Sequence, residues 1–359
     1  MVVSCRKKGK HIMKRFVAYL FKCMIAGIIS VVLLSLFSLV YYNPPIAIEQ
    51  PESITNFRFI PNKSWTFMLE GAGFGKTDRL GYNNAYYNDS FDPDIVFVGS
   101  SHLEALQVPQ NANCVYLLNQ MFDKDNEEDN NFKCINLGVS GHSFEVSVSN
   151  FKYVADRFPN SKYIILETSN VEFSPDTLDD VIAGKFHTPI EKKGFIAETA
   201  QRIPFIRLVY KKFNESAAAK RPAVAPATDN MAQKAEPNMN DYIEKMDIIL
   251  GEISGICAEK GIEPIILLHE AFWEDKSRNI VTEMDKDYKD AFVKCCDDNG
   301  VKIIDATTDM ISAYKENFEF SYGFSNTKPG EGHLNKTGHR IIAETMYRKI
   351  NEWSTQNDI

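Results

Sequence analysis

Serine, histidine, asparagine and glycine residues with the potential for acyl transfer occur at places where strands are expected to end. Acyl transfer through serine needs a hydroxyl at an exposed turn, a base, donors for the developing oxyanion and a group that orients the base. Ser101 is the candidate nucleophile and His333 the candidate base. The backbone N–H groups of Gly141 and Ser101 and the side-chain amide of Asn170 are candidate oxyanion donors. This set favours serine-based acyl chemistry.

Short apolar segments alternate with helical patterns from residue 91 onward. The strand candidates are Ile95–Val98, Cys134–Leu137, Tyr163–Leu166, Pro264–Leu268 and Val301–Ile304, and the helical patterns are Ser143–Phe158, Asp241–Lys260, Met284–Asn299 and Asn335–Trp353. Apolar, β-branched strands in this alternation predict an α/β fold with a parallel sheet covered on both faces. Because ligands bind outside the carboxyl ends of such strands, we expect the candidate residues to meet there.

Sequence blocks at these strand ends resemble the SGNH (GDSL-like) hydrolase family over about residues 91–355. The blocks are Gly99-Ser100-Ser101, Asn136-Leu137-Gly138-Val139-Ser140-Gly141, Thr168-Ser169-Asn170 and Gly330-Glu331-Gly332-His333. The resemblance implies a flavodoxin-like three-layer α/β/α sandwich with a five-stranded parallel sheet, and it implies no cofactor and no metal. It also implies Ser101 as nucleophile, His333 as base, and Ser101, Gly141 and Asn170 as the oxyanion hole.

The last block departs from the family pattern at the position of the acid that orients the base. The family has aspartate three residues before its histidine, whereas this chain has Gly330. Glu331 is the nearest carboxylate and is the tentative acid, with a backbone carbonyl and a Ser–His dyad as the alternative. Since an orienting acid strongly affects the rate, full hydrolytic power is in question.

Each candidate also has a purely structural interpretation. Ser101 and Glu104 form a Ser-x-x-Glu capping box, so Ser101 could serve only to begin a helix. Gly141 could be a turn glycine, Asn170 a cap or turn residue, and His333 a surface residue. His102 and His142 are expected to line the site rather than to react, and His269, which follows the fourth strand, is expected to be a packing or rim residue.

The amino terminus has the pattern of an uncleaved membrane anchor. Cys23–Tyr42 is 20 residues long and carries no charge, which matches a hydrocarbon core of about 30 Å. Basic residues precede it, and Tyr41-Tyr42-Asn43-Pro44-Pro45 offers no signal-peptidase pattern, so we expect the amino terminus in the cytoplasm and the rest outside. The expected organisation is a basic tail (1–22), an anchor (23–42), an extended lead-in (43–90), a catalytic domain (91–355) and a flexible insertion (214–240).

Charge and cysteine usage exclude several other functions. The net charge is −8, and residues beyond 42 carry 33 basic against 48 acidic side chains, which argues against nucleic-acid binding. The cysteine spacing indicates neither a disulfide framework nor zinc, although a Cys114–Cys134 bridge stays open. The segment Gly71–Lys76 lacks the spacing and the preceding strand of a phosphate-binding loop.

These features predict a membrane-anchored extracytoplasmic serine esterase or O-acyltransferase. The resemblance implies acyl groups, often acetyl, on cell-surface carbohydrate as substrates, transferred through an acyl-serine intermediate. It also implies a membrane-bound acyltransferase as a candidate partner. The alternative is a non-catalytic protein that binds or assembles a surface polymer on a degenerate SGNH scaffold, which Gly330 and Val171 motivate.

Overall fold

The protein divides into two compact units. The computed structural model describes residues 2–49, 57–85, 92–124, 132–185, 203–220 and 238–357. One unit comprises Met1–Asn43 with Lys192–Ala227, and the larger comprises Pro44–Glu191 with Thr228–Ile359. All candidate site residues belong to the larger unit.

A parallel sheet of five strands forms the centre of the larger unit. The strands of the described chain are β1 (Tyr42–Asn43), β2 (Ala47–Glu49), β3 (Phe57–Phe59), β4 (Ser64–Phe67), β5 (Gly73–Lys76), β6 (Ile95–Val98), β7 (Cys134–Asn136), β8 (Tyr163–Thr168), β9 (Glu263–Leu268), β10 (Phe272–Glu274), β11 (Ile280–Thr282) and β12 (Lys302–Asp305). The central sheet has the order β12-β9-β8-β6-β7. The predicted parallel sheet is confirmed, with strand ends within two residues of expectation.

Helices cover both faces of this sheet. The helices of the described chain are α1 (Val2–Tyr41), α2 (Ser101–Glu104), α3 (Cys114–Phe122), α4 (Phe144–Ser149), α5 (Phe151–Arg157), α6 (Pro175–Ile182), α7 (Pro204–Lys220), α8 (Met239–Lys260), α9 (Lys286–Asp298), α10 (Thr307–Asn317) and α11 (Lys336–Asn357). Two apolar clusters result, one joining the sheet to α5, α8 and α9 and the other joining it to α3 and α11. The three-layer α/β/α architecture is therefore confirmed.

The strand order fixes where a ligand site can form. Within the sheet β6 pairs with β7 on one side and with β8 on the other, in parallel register. The chain therefore reverses its direction of growth around β6, and a crevice opens beyond the carboxyl ends of the strands at such a point. Ser101 begins the helix that follows β6, so the candidate nucleophile lies at this crevice.

The lead-in contributes short antiparallel pairs to the larger unit. β2 pairs with β3, and β4 pairs with β5 so that Trp65 lies opposite Gly75. The connection between β4 and β5 approaches the main domain closely, because a Cβ on Gly71 would lie 2.2 Å from the carbonyl oxygen of Gln107, and Gly71 has a φ of +70°. The glycines of the segment Gly71–Lys76, which does not have the spacing of a phosphate-binding loop, thus allow the backbone of this connection to approach the main domain.

The smaller unit contains the apolar amino-terminal helix. Within the described chain, Met13–Tyr41 is long and apolar enough to cross a membrane. Helix α1 extends the helical structure back to Val2, through most of the segment expected to be a separate basic tail. Its end at Tyr41 precedes Pro44 and Pro45, which cannot continue a helix.

The expected insertion over 214–240 is partly helical. Helix α7 includes its first seven residues and α8 begins at Met239. The segment 221–237 lies outside the described residues. The first part of that expectation is therefore corrected: the run of alanines after Asn214 favours continuation of the helix.

Cys114 and Cys134 are free thiols in the structure, and both are buried. The bridge that the sequence left open is thus absent between these two residues. Burial raises the pKa of the Cys114 thiol to about 12, which keeps it protonated and unreactive.

Candidate active site

Ser101 stands at the first position of α2 with its hydroxyl directed to a histidine. The helix is capped by Ser100, whose Oγ accepts a hydrogen bond of 3.2 Å from the backbone N–H of His102. The interpretation of Ser101 as the capping residue is therefore wrong, since the preceding serine performs that function. The hydroxyl of Ser101 remains available for another partner.

The structure brings Ser101 and His333 together although they are 232 residues apart in the chain. The distance from Ser101 Oγ to His333 Nε2 is 3.0 Å. This is within the range in which an imidazole can take a hydroxyl proton. His333 lies just before α11, so the last block of the chain reaches the end of β6.

Glu70 holds the opposite side of the imidazole. Its Oε2 lies 2.7 Å from His333 Nδ1, and its Oε1 accepts a 2.9 Å hydrogen bond from the backbone N–H of His333. A carboxylate that accepts from Nδ1–H leaves Nε2 unprotonated and facing the serine. The contacts Ser101–His333–Glu70 thus have the geometry of a catalytic triad.

Glu331 does not contact His333 in the structure. Its carboxylate pairs with Lys328 and its side chain is 62% exposed. The sequence-based assignment of the orienting acid to Glu331 is therefore corrected to Glu70. The physical reason is the tight turn at Gly332, which places Glu331 on the surface while the backbone of His333 faces the lead-in.

Two features of the chain allow Glu70 to reach the histidine. Asn326 stabilises the connection between β4 and β5, which carries Glu70. Its Oδ1 accepts a hydrogen bond from Gly71 N–H at 2.9 Å, and its Nδ2 donates to the carbonyl of Met68 at 3.2 Å. Gly332 has a φ of +86°, and a Cβ there would lie 2.6 Å from Glu70 Oε1. Glycine is therefore required for the carboxylate to approach.

The predicted oxyanion residues line one cavity with the nucleophile. This cavity has a volume of about 320 Å³, and Ser101, Gly141 and Asn170 are all on its wall. The Oδ1 of Asn170 accepts from the backbone N–H of Glu172 at 3.0 Å, which fixes the orientation of the amide. The amide is exposed, so it can meet a substrate.

The side chain of Asn136 stabilises the turn that carries Gly141 by hydrogen bonds. Its Nδ2 donates to the carbonyl of Leu103 at 2.7 Å, and its Oδ1 accepts from Gly138 N–H at 2.7 Å. Asn136 is buried. The asparagine of the second block therefore joins the Gly141 turn to helix α2, which carries Ser101.

A buried carboxylic acid lies behind the same turn. Glu104 is fully buried, and its carboxyl group is hydrogen-bonded to the hydroxyl of Ser140. Burial raises the pKa of Glu104 to about 7. A large fraction of this group is thus protonated near neutral pH, which limits negative charge beside the candidate oxyanion hole.

A chain of buried hydrogen bonds connects the nucleophile turn to the histidine loop. Glu167 accepts from Ser100 N–H at 2.6 Å, its Oε1 lies 2.9 Å from His269 Nε2, and His269 Nδ1 lies 2.6 Å from the hydroxyl of Tyr322. The backbone of Tyr322 forms a bridge with Leu334, next to His333. This chain stabilises the relative position of Ser101 and His333.

The members of this chain are shielded from solvent. Glu167, His269 and Tyr322 are each no more than 3% exposed. Burial tends to raise the pKa of Glu167, but hydrogen bonding and charge interaction with His269 hold that pKa below its usual range. His269 was expected from the sequence to be a packing or rim residue, and its full burial excludes the rim.

The other two histidines flank the nucleophile. His102 Nδ1 accepts from the backbone N–H of Leu334 at 3.4 Å, and its ring lies 5.3 Å from that of His333. Burial and the neighbouring His269 lower the pKa of His102 to about 3, and burial lowers that of His142 to about 4. Both are neutral at pH 7, as befits residues that line the site.

A second, larger cavity adjoins the first. It has a volume of about 690 Å³ and shares His102 and Asn170 with the nucleophile cavity. Trp273 lines it with a half-exposed indole. Its charged lining is acidic and consists of Glu172, Glu283 and Glu331. Among the described residues, no group of three or more metal-ligating side chains is placed to hold a metal ion.

Comparison with solved structures finds similar chains at low sequence identity. An acetyl xylan esterase is 13% identical with a TM-score of 0.38, over 71% of this chain and 98% of that one. A catalytic mutant of an acetylxylan esterase from Geobacillus stearothermophilus is 9% identical with a TM-score of 0.38, over 72% and 94%. A lipolytic G-D-S-L protein from Veillonella parvula is 13% identical with a TM-score of 0.34, over 71% and 96%.

The assignment of the fold rests on this chain's own strand order and on the position of Ser101 after β6. The fold is a flavodoxin-like three-layer α/β/α sandwich with a five-stranded parallel sheet. No protein-family model matches the sequence, and no curated protein matches it either. Glu70 and Glu167 are residues of the candidate site that the sequence analysis did not identify. Glu167 directly precedes the third block, whereas the only local signal at Glu70 is the glycine-rich segment that follows it.

Proposed function

We propose that the protein is a membrane-anchored serine esterase or O-acyltransferase. The observation that supports this most strongly is the unbroken contact chain from Ser101 through His333 to Glu70, at 3.0 and 2.7 Å. A helix cap or a surface histidine would not require a carboxylate on the far side of the imidazole. A non-catalytic scaffold would not require it either.

The proposed reaction has two half-reactions. Ser101 Oγ attacks the acyl carbonyl carbon while His333 Nε2 takes the hydroxyl proton. The oxyanion is stabilised by N–H groups at Ser101, Gly141 and Asn170. The intermediate then collapses: the bond to the alcohol breaks, His333 returns the proton to the leaving oxygen, and an acyl-serine remains. In the second half-reaction, water or an acceptor hydroxyl attacks that ester and gives its proton to His333. The bond from the acyl carbon to Ser101 Oγ then breaks, and His333 returns the proton to Ser101 Oγ, which releases the acid or the new ester and restores the free serine.

The substrate is proposed to be an acylated carbohydrate that lacks negative charge near the ester. The indole of Trp273 offers an apolar face on which a sugar ring can stack, and the cavity beside it is large enough for a sugar unit. The acidic lining would repel polyanionic polymers. Acetylated neutral or amino-bearing glycans are therefore preferred candidates, and acetyl is the proposed acyl group.

The first experiment tests the nucleophile. The full chain in detergent is treated with a fluorophosphonate probe, and labelling is expected to be lost in Ser101→Ala. Ser143→Ala is the matched control, because Ser143 lines the same cavity and its side chain makes no capping bond. Absence of labelling in the native protein, or persistent labelling of Ser101→Ala, would contradict the proposal.

A second experiment separates hydrolysis from transfer. Acetate release from an acetylated glycan is measured with and without an added unacetylated glycan, and the added glycan is analysed for new acetyl groups. A transferase would acetylate the acceptor at the expense of acetate release. A membrane-bound acyltransferase that supplies the acyl group is the proposed partner in that case.

We also propose that the amino terminus is cytoplasmic and the larger unit extracytoplasmic. The support is the apolar helix Met13–Tyr41 and the charge bias around its uncharged part Cys23–Tyr42, which seven basic residues such as Lys14 and Arg15 precede and only Arg58 follows within 20 residues. Protease added to intact cells should digest the larger unit. Protection of that unit until the cells are lysed would overturn this orientation.

A further inference from the structure

Helix α7 exposes an apolar face at regular helical spacing. Ile206, Val209, Tyr210 and Phe213 occur at positions i, i+3, i+4 and i+7, which lie on one side of a helix. Their exposure increases from 37% at Ile206 to 70% at Phe213. In water such a face is unfavourable, because it leaves large apolar side chains in contact with solvent.

The described side chains of α7 also carry a local positive charge. Residues 204–213 include Arg207, Lys211 and Lys212 and no acidic residue. The chain beyond residue 42 is strongly acidic as a whole. A basic segment with an apolar face has the composition of a helix that lies in the headgroup region of a bilayer.

Helix α7 belongs to the same unit as the apolar helix α1 and lies against it. Ser38 is fully buried although most of α1 is exposed, and Ser35 one turn earlier is half-buried. Small residues at this spacing allow close approach of two helices. The side chain of Arg207 donates to the Oδ1 of Asn43, just after the end of α1. These contacts place α7 beside the last turns of α1.

The length of the apolar helix places that contact at the surface of a bilayer. Met13–Tyr41 is 29 residues long and includes Lys14, Arg15 and Lys22. Its uncharged part, Cys23–Tyr42, corresponds to about 30 Å of helix and by itself spans a hydrocarbon core of about 30 Å. Lys22 then marks the inner boundary, and Ser38, four residues before Tyr42, lies about 6 Å from the outer boundary, at the depth of an interfacial helix.

We propose that α7 is an interfacial helix whose partner is the lipid surface, with Phe213, Tyr210, Val209 and Ile206 inserted among the headgroups. Its basic residues would then contact anionic phospholipid. This inference rests on the proposed membrane anchor and is independent of the proposed chemistry. The smaller unit would then bind the membrane through two elements, the membrane-spanning helix α1 and the helix α7 on the membrane surface.

The test measures the surroundings of single positions on α7 in lipid nanodiscs. The full chain, with Cys5 and Cys23 replaced by serine, carries one new cysteine labelled with an environment-sensitive fluorophore. Phe213→Cys reports the apolar face, Val209→Cys is a second reporter, and Lys211→Cys on the other side of the helix is the matched control.

Quenching by lipids that bear a quencher on the first carbons of the acyl chain, just below the headgroups, should be at least about threefold stronger at Phe213→Cys than at Lys211→Cys, because the apolar face is directed to the acyl chains and the basic side to the phosphates. The emission at Phe213→Cys should also be blue-shifted, and both effects should grow when phosphatidylglycerol replaces part of the phosphatidylcholine. Val209→Cys should behave like Phe213→Cys.

Equal, water-like signals at all three positions would overturn the proposal. Quenching between labelled chains that grows with the number of chains in each disc, without quenching by lipid, would instead indicate that a second copy covers the face. Failure of the protein to co-elute with nanodiscs would refute the anchor itself, which distinguishes it from failure of the proposal for α7.

Discussion

Replacement of Glu70 by glutamine is the most direct test of how this site works. The change keeps the size of the side chain and removes its charge. In the proposed reaction His333 becomes an imidazolium, and Glu70 Oε2 lies 2.7 Å from its Nδ1. The carboxylate therefore stabilises a charge that is present in the transition state and absent in the resting enzyme.

The size of the effect follows from the separation of the two charges and their exposure. Charge centres about 4 Å apart interact with about 4 kcal/mol at an effective dielectric constant of about 20, and with about 2 kcal/mol at about 40. The side chains of His333 and Glu70 are 30% and 20% exposed. We therefore expect the effective dielectric constant of the site to lie between these two values. Since about 1.4 kcal/mol is a factor of ten, we expect Glu70→Gln to lower kcat by about 30- to 1,000-fold.

The assay is hydrolysis of an aryl acetate by the full chain in detergent, with kcat and KM measured separately. KM should change little, because an aryl acetate does not depend on the acid for binding. Glu331→Gln is the matched control and should stay within about twofold of the native rate. A native-like rate in Glu70→Gln, combined with a large loss in Glu331→Gln, would refute the triad drawn from the structure.

Three further outcomes are expected. Tyr322→Phe should lower kcat about tenfold, because it breaks the buried hydrogen-bond chain to the nucleophile turn. Tyr242→Phe is the control: it loses an equally buried hydrogen bond to the carbonyl of Val171 and should leave kcat native. Equal rates in the two variants would refute the role of this chain in positioning Ser101 and His333. Gly332→Ala should lower kcat without loss of fold by circular dichroism, because the new methyl group displaces Glu70; a native rate would show that the contact is dispensable. The raised pKa of Glu104 means that the folded state favours its protonated form. The stability that this contributes is complete below about pH 4.5 and is lost as pH rises through about 7, which lowers the free energy of unfolding by about 3 kcal/mol. Urea unfolding at pH 5 and pH 8 should show this loss in the native protein and not in Glu104→Gln.

The fold could be predicted from the sequence because its strands are locally recognisable. Each strand of the central sheet contains a short apolar run, and in Ile95–Val98 all four residues are fully buried. Strands of this kind must pair and be covered on both faces. The turns after them define one edge of the sheet, and for that reason the sequence alone could assign Ser101 and Asn170 to a common site.

The orienting acid could not be predicted because no local pattern connects it with the base. Glu70 and His333 are 263 residues apart, and the lead-in has no regular apolar period that would reveal its pairing. The sequence offered Glu331 because that residue is two positions from His333. Proximity in the chain is a poor guide here, since a turn at Gly332 directs the neighbouring side chain away.

The position of α7 was missed for a related reason. The sequence analysis assigned no element to residues 204–213 and expected a flexible insertion over 214–240, so the helix Pro204–Lys220 was not predicted. The spacing of Ile206, Val209, Tyr210 and Phe213 is nevertheless that of an amphipathic helix.

The departures from the family pattern have structural explanations that do not require loss of function. Val171, where the family has an aspartate, is fully buried in the core, and its carbonyl accepts the hydroxyl of Tyr242 at 2.8 Å. Gly330 has a φ of +86° and donates its N–H to the carbonyl of Tyr322 at 2.8 Å. An aspartate at 330 would be strained in that conformation, whereas Glu70 already occupies the position that such an acid would serve.

A scaffold without catalysis would not need a carboxylate that contacts His333 through both oxygens from a distant hairpin, with Gly332 leaving room for it. The contacts of Glu70 are therefore the reason that we favour the proposed enzyme over the non-catalytic alternative.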